Sequence, residues 1–273
     1  MSFQVGINQT LYNLRRISQD LETVTTQLST GKKVNSSQDD PVVWASIMRS
    51  RSEFSNFTAI NDSLNNVATS IQIADGSMDT IGKMIDNMTT SLQSIMQAVP
   101  PLPVGSEERT KALQTYAELR VQIDQLANPT DAGARKVMAG PDDWTVVVGP
   151  NGMTRTVRKE EVHTGPTGLN IPELTENSTD AEIQDAMTRL SAAQQTLQTR
   201  QKDLEMDSVA IANAQDYNGK LASAHLVHSE NAGAANMDEV AAQEKSLELR
   251  QSLSNESLKI LTDADARILQ LLQ

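Results

Sequence analysis

His225 and His228, three residues apart, are the pair in this chain whose type and spacing most invite a chemical role. On a helix they share a face and could hold a metal ion together. A zinc site takes three or four ligands, however, and no carboxylate cluster lies nearby to complete one, so a packing or solvent-facing pair is the simpler reading. Asp39-Asp40 could bind a cation, but in a polar stretch between helices two acids more readily cap a helix or form an intersubunit salt bridge. Gly149-Pro150-Asn151-Gly152 lacks the Lys-Ser/Thr that a phosphate loop requires and reads as a turn. Met78 and Met88 recur at helical spacing among Ile and Leu, as core filler does. No Ser, His and Asp set can be proposed from spacing. No catalytic residue, cofactor site or metal ligand is therefore assigned, and the expectation is a protein that is not an enzyme.

The composition points the same way. Of 273 residues, 38% are hydrophobic and only 3% aromatic, so a core must be built from Leu, Ile, Val, Met and Ala. That suits helix-on-helix packing better than a ligand pocket, which aromatics usually line. A net charge of −12 argues against nucleic-acid partners and anionic membranes, both of which reward clustered Lys and Arg. Cysteine is absent, which removes disulfides, thiolate nucleophiles and zinc–thiolate sites. No run of 18 apolar residues is present, so membrane insertion is not expected. The start, MSFQVGINQTLYNLRRIS, lacks a basic region followed by a continuous apolar stretch, so no cleaved signal peptide is expected.

The elements that would position any site are clear in the periodicity. Ile7, Leu11, Leu14, Ile17, Leu21, Val24 and Leu28 form one helical stripe, and Gly31 stops it. GKKVNSSQDDP then reads as a polar loop closed by Pro41. From Phe54 through Phe57, Ile60, Leu64, Val67, Ile71, Ala74, Met78, Ile81, Ile85, Met88, Leu92, Ile95 and Val99 the steps alternate between 3 and 4, a coiled-coil seam. As one helix, residues 54–99 would be on the order of 70 Å long. PPLP at 100–103 ends it. Ser106 starts another helix with the stripe Ala112, Tyr116, Leu119, Ile123 and Leu126. Trp144–Val148 and Met153–Arg158 flank the Gly-Pro-Asn-Gly turn as a hairpin. A capping box, Thr179 to Glu182, opens a helix carrying Ile183, Met187, Leu190, Leu197 and Leu204. The last helix, from about Met237, ends apolar on several faces at Leu258, Ile260, Leu261, Ala264, Ile268, Leu269, Leu271 and Leu272.

The expected fold is mainly α: a long coiled-coil-like helical rod built from both chain ends, with a small β-hairpin insertion in the middle. The expected domains are a pair of terminal helices (1–40 and 236–273), a helical rod (41–128 and 175–235) and a small β-rich outer insertion (129–174). The seam at 54–99 can be satisfied by helices at 106–127 and 179–220 running antiparallel to it. A terminal helix apolar nearly all round needs partners on several sides, and the stripe at 7–28 covers only one. Other copies of the same chain are the economical supply. The expected self-assembly residues are those of the first stripe, Ile7 to Leu28, together with Leu258, Leu261, Ala264, Ile268, Leu269 and Leu272.

LSTGKKVNSSQDDP at 28–41 resembles the loop after the first helix of bacterial flagellins. INDSLNNVATSIQIADGSMDTIGKMIDNM resembles the long helix of their rod domain, and SLELRQSLSNESLKILTDADARILQLLQ is similar to their C-terminal helix. The resemblance covers residues 1–127 and 180–273. It implies terminal segments paired as an inner tube, a helical rod around it, a thin outer part, and a homo-oligomeric helical filament that serves swimming motility outside the cell. The partners it implies are the flagellar type III export apparatus, an export chaperone, and junction and cap proteins. Asp40-Pro41 and LANPTDAGARKVMAGP also resemble the hook–filament junction protein of the same superfamily, which is the alternative. An adhesin or enzyme displayed on the scaffold is a third reading. The zinc-protease pattern H-E-x-x-H that some flagellins carry is absent, since His163 follows Glu160-Glu161 in the wrong order.

Overall fold

The computed structural model describes residues Ser2–Leu271, apart from the side chains of residues 2, 3, 265 and 268–271. In chain order the elements are α1 (Ser2–Thr30), α2 (Pro41–Met96), α3 (Glu107–Leu126), α4 (Ala132–Met138), β1 (Trp144–Val147), β2 (Thr154–Val157), α5 (Asp180–Ala232) and α6 (Met237–Leu271). The fold is mainly α with one small hairpin, as the sequence predicts. It divides into two compact units, one formed by residues 1–54 and 223–273 and the other by residues 55–222.

In the second unit the seam of α2 is the core. Leu64, Val67, Ile71, Ala74, Met78, Ile81, Ile85, Met88, Leu92 and Ile95 are all buried, joined by Leu113, Tyr116 and Ile123 of α3 and by Ile183, Leu190, Leu197, Leu204 and Ile211 of α5. Burying each large aliphatic is worth about 1.5–3 kcal/mol, so this seam carries most of the unit's cohesion. Asn61 Nδ2 donates to Gln215 O at 3.1 Å, while Gly82 lies beside Leu197 and Gln194, so α2 and α5 run antiparallel. Val99 does not extend the seam: α2 ends at Met96, and Val99 is 94% exposed. Its successor Pro100 disfavours helical backbone at the residue before it.

The ends of the helices follow local chemistry. Asp40 Oδ1 accepts from the N–H groups of Val42 and Val43 at 3.0 Å, with Pro41 at the first helical position, so this aspartate caps α2. Thr179 and Glu182 form the reciprocal capping box: Thr179 N donates to Glu182 Oε2 at 2.7 Å and Glu182 N to Thr179 Oγ1 at 3.3 Å. The hairpin pairs Trp144 with Val157 and Val147 with Thr154. Its turn holds Asn151 and Gly152 at φ 56° and 74°, a left-handed pair that Asn-Gly adopts readily. The segment 129–174 also contains α4, a helix absent from the sequence reading, capped by Asp131, whose carboxylate accepts from Ala134 N at 2.7 Å.

Candidate assembly surface

The first unit is organised around α1 and α6. Gly31, at φ 67°, ends α1 in the left-handed conformation. Lys33 N then donates to Gly233 O at 2.8 Å, and Ala235 N to Gly31 O at 3.0 Å, tying the two connecting loops together. Further along, Thr25 Oγ1 meets Glu244 Oε1 at 3.5 Å, Ser18 Oγ meets Gln251 Nε2 at 3.4 Å, and Gly6 faces Leu261. The partners descend in α1 as they rise in α6, so the chain ends form an antiparallel pair.

That pair covers each helix on one side only. Among the expected assembly residues, Val24 is buried; Ile7, Leu14, Ile17, Leu21, Leu28, Leu258, Leu261 and Ala264 are half-buried; and Leu11 is exposed. The side chains of Ile268 and Leu269, and all of Leu272, lie outside the described residues. α6 has a second apolar face that the sequence reading did not single out in full. Leu249, Leu253 and Ile260 are 63%, 58% and 64% exposed, and spacings of four and seven put them on one side of the helix. On α1, Val5 and Tyr12, each 62% exposed, likewise share a face. Two adjoining hollows of about 400 Å³ line the groove between the helices, sharing Asp20, Leu247 and Arg250. Uncovered apolar faces of this kind mark interaction surfaces.

The other residues considered for chemistry have structural roles. His228 Nε2 sits 3.2 Å from Ser46 Oγ of α2. Asp39 Oδ2 accepts from Asn35 N and Ser36 N at 2.8 Å each, and these backbone donors hold its carboxyl below the usual carboxylate range. Asp40 is the cap described above. His163 accepts from Gly165 N at Nδ1, 3.0 Å, inside a turn that continues through Leu169 N to His163 O at 2.8 Å. No group of three His, Cys, Asp or Glu able to hold a metal is found among the described residues. None of the helices among the described residues is long and apolar enough to cross a membrane.

Fold and surface together define a mainly helical protein whose chain ends pair and leave apolar faces uncovered. Comparison with known proteins gives the class a name. The family described as the bacterial flagellin N-terminal helical region matches residues 2–142. Flagellin FljO of Caulobacter vibrioides is 24% identical over 262 residues, covering 96% of this chain and 94% of its own. Flagellin C of Rhizobium meliloti is 23% identical over 321 residues, covering 96% of each. Among solved structures, Bacillus cereus flagellin aligns with 57% of this chain and 88% of its own, at 15% identity and a TM-score of 0.48. The chain belongs to the bacterial flagellin family.

Proposed function

We propose that this protein is a structural subunit that polymerises with copies of itself into the flagellar filament and serves swimming motility. The observation that carries the reading is the uncovered apolar face of the α1–α6 pair: Leu249, Leu253 and Ile260 are exposed on a helix whose opposite side is already packed. Relatives matched over nearly their whole length and named flagellins support it. In this reading residues 1–40 and 236–273 form the inner tube, 41–128 and 175–235 the surrounding rod, and 129–174 a thin outer part. The assembly residues are the α1 stripe from Ile7 to Leu28 with Leu258, Leu261, Ala264, Ile268, Leu269 and Leu272. The subunit works outside the cell without catalysis, reaching its place through the flagellar export apparatus with an export chaperone, between junction and cap proteins.

Electron microscopy of the purified chain seeded with filament fragments tests the proposal. Long tubes are the expected result. Short caps or no growth would favour the hook–filament junction role instead, and a discrete particle with hydrolytic activity would favour a displayed enzyme.

A further inference from the structure

Each helix of the α1–α6 pair carries a second seam, turned away from the first. On α6 the seam that meets α1 runs through Leu247, Gln251, Ser254, Leu258 and Leu261, all half-buried. Ser246, Leu249, Leu253, Glu256, Ile260 and Asp263 repeat the same spacing of 3 and 4 on the far side, and all six are exposed. On α1 the packed side holds Leu14, Ile17, Leu21 and Val24, while Val5, Asn8, Tyr12, Arg15 and Gln19 back it with an exposed seam of the same period. Both helices are therefore half of a coiled coil on the inside and present an uncovered seam on the outside.

A second copy can cover these seams in two ways, and the charges tell them apart. Were α6 to meet α6 about a two-fold axis, seating each Leu253 on the other copy's Ile260 would bring Glu256 beside its own counterpart. Two like charges would then lose water at the centre of the contact without a partner. That contact also closes at two chains and leaves the α1 seam bare. The α1 seam suits α6 better. Val5 and Tyr12 are seven residues apart, as are Leu253 and Ile260, so an antiparallel seam seats Val5 on Ile260 and Tyr12 on Leu253 in one register. Glu256 then lies opposite Asn8, whose carboxamide can donate to it. It meets no like charge, because α1 carries no acid before Asp20 and its two charges there are Arg15 and Arg16.

We propose that subunits join head to tail, the outer seam of α6 in one copy taking the outer seam of α1 in the next; this rests on the assembly reading above and names the surface that fills it. The contact is heterologous, since each copy offers one seam and receives on the other, so addition continues past the dimer. Leu253 and Ile260 are the receiving positions, and Val5 and Tyr12 the entering ones.

The chain has no cysteine, so single cysteines report contacts without background. One preparation carries Val5→Cys and another Ile260→Cys; the two are mixed, grown on filament seeds and treated with a short bis-maleimide. Each chain then holds one thiol, so every link joins two copies. Peptides linking positions 5 and 260 are the expected product, abundant in filaments and absent from dilute monomer. Links between two 260 positions would overturn the proposal in favour of α6 on α6. Filaments with neither link would overturn it too, while leaving assembly itself intact. If the wild type does not grow on seeds, the assembly reading fails and this contact fails with it. If a cysteine stops growth, Tyr12→Cys mixed with Leu253→Cys gives the same readout. Loss of growth in both mixtures while the wild type grows would overturn the contact, because cysteine keeps a partly apolar seam apolar.

Discussion

The guanidinium of Arg109 donates to Asp180 Oδ1 at 2.6 Å, and the two side chains live in different solvents: Arg109 is 2% exposed and Asp180 67%. The arginine also donates to Ser178 O at 2.7 Å and Leu102 O at 3.1 Å, which joins the start of α3 to the start of α5 and to the proline-rich turn. Its energy therefore resides in the buried carbonyls it satisfies more than in the ion pair. Arg109→Met is expected to cost about 2–3 kcal/mol in urea unfolding, because it strands those carbonyls. Asp180→Asn, on the wet side, is expected to cost under about 1 kcal/mol. Equal costs would place the energy in the ion pair.

Arg109 also shows why part of the fold was hidden from the sequence. The seam was legible because every third or fourth residue from Phe57 to Ile95 is apolar, and period alone fixes the buried face. The capping box at Thr179–Glu182 was legible because its two partners are only three residues apart. A lone arginine in a helix that opens Glu-Glu-Arg looks solvated, and only the turn at 102 and the end of the loop at 178 reveal its burial. Helix α4 was hidden for a different reason: seven residues are too few to display a period. The candidate surface was half legible. The stripe at 7–28 declared itself, but Leu249 and Leu253 become unusual only once their neighbours on α6 are known to be packed elsewhere.

Gly133 admits α4 against α2. A Cβ there would collide with Ser70 Oγ and stand 2.8 Å from Ser70 Cβ, so neither side chain can move aside cheaply. Gly133→Ala is expected to lower stability by about 1–3 kcal/mol, as overpacking does, and Ser70→Gly in the same chain is expected to restore much of it. Thermal unfolding of the two single variants and the double variant checks this. Additive losses would show that the contact is not the cause.

The terminal pair should be the least protected helical part of the monomer. Along the described residues of α1 Val24 alone is buried, whereas α2 buries ten residues of the core cluster between Leu64 and Ile95. Local opening is easiest where few apolar contacts must break. Amides of α1 and α6 are expected to exchange by local opening, far ahead of the seam, and to become protected on polymerisation. Equal protection of α1 and the seam in dilute monomer would contradict this.

Asp39 supplies an acid-sensitive joint in the loop between α1 and α2. Its carboxylate accepts from Asn35 N and Ser36 N, and these bonds lower its pKa below 3.8. A depressed value means the stabilisation is present above the ordinary pKa and is lost as pH falls through the lowered one. The Asn35 and Ser36 amide resonances are expected to titrate together with a midpoint below 3.8 and to shift at neutral pH in Asp39→Ala. A midpoint at or above 3.8 would mean that the bonds seen here do not hold in solution.

Ile260 separates assembly from folding. It is 64% exposed, on the α6 face it shares with Leu249 and Leu253, so a charge placed there stays in water as long as the chain is a monomer. Ile260→Asp is therefore expected to leave the unfolding transition of the monomer within about 0.5 kcal/mol of the wild type. If that face is covered by a neighbouring copy, the same carboxylate must be desolvated without a partner in every subunit, at several kcal/mol each. Seeded growth is then expected to stop, while Ile260→Val, which keeps the face apolar, still polymerises. Leu261→Asp is the contrasting case, because Leu261 already packs beside Gly6 and its loss should disturb the helix pair as well as growth. Normal filaments from Ile260→Asp would show that this face of α6 stays in solvent and that the subunits join elsewhere.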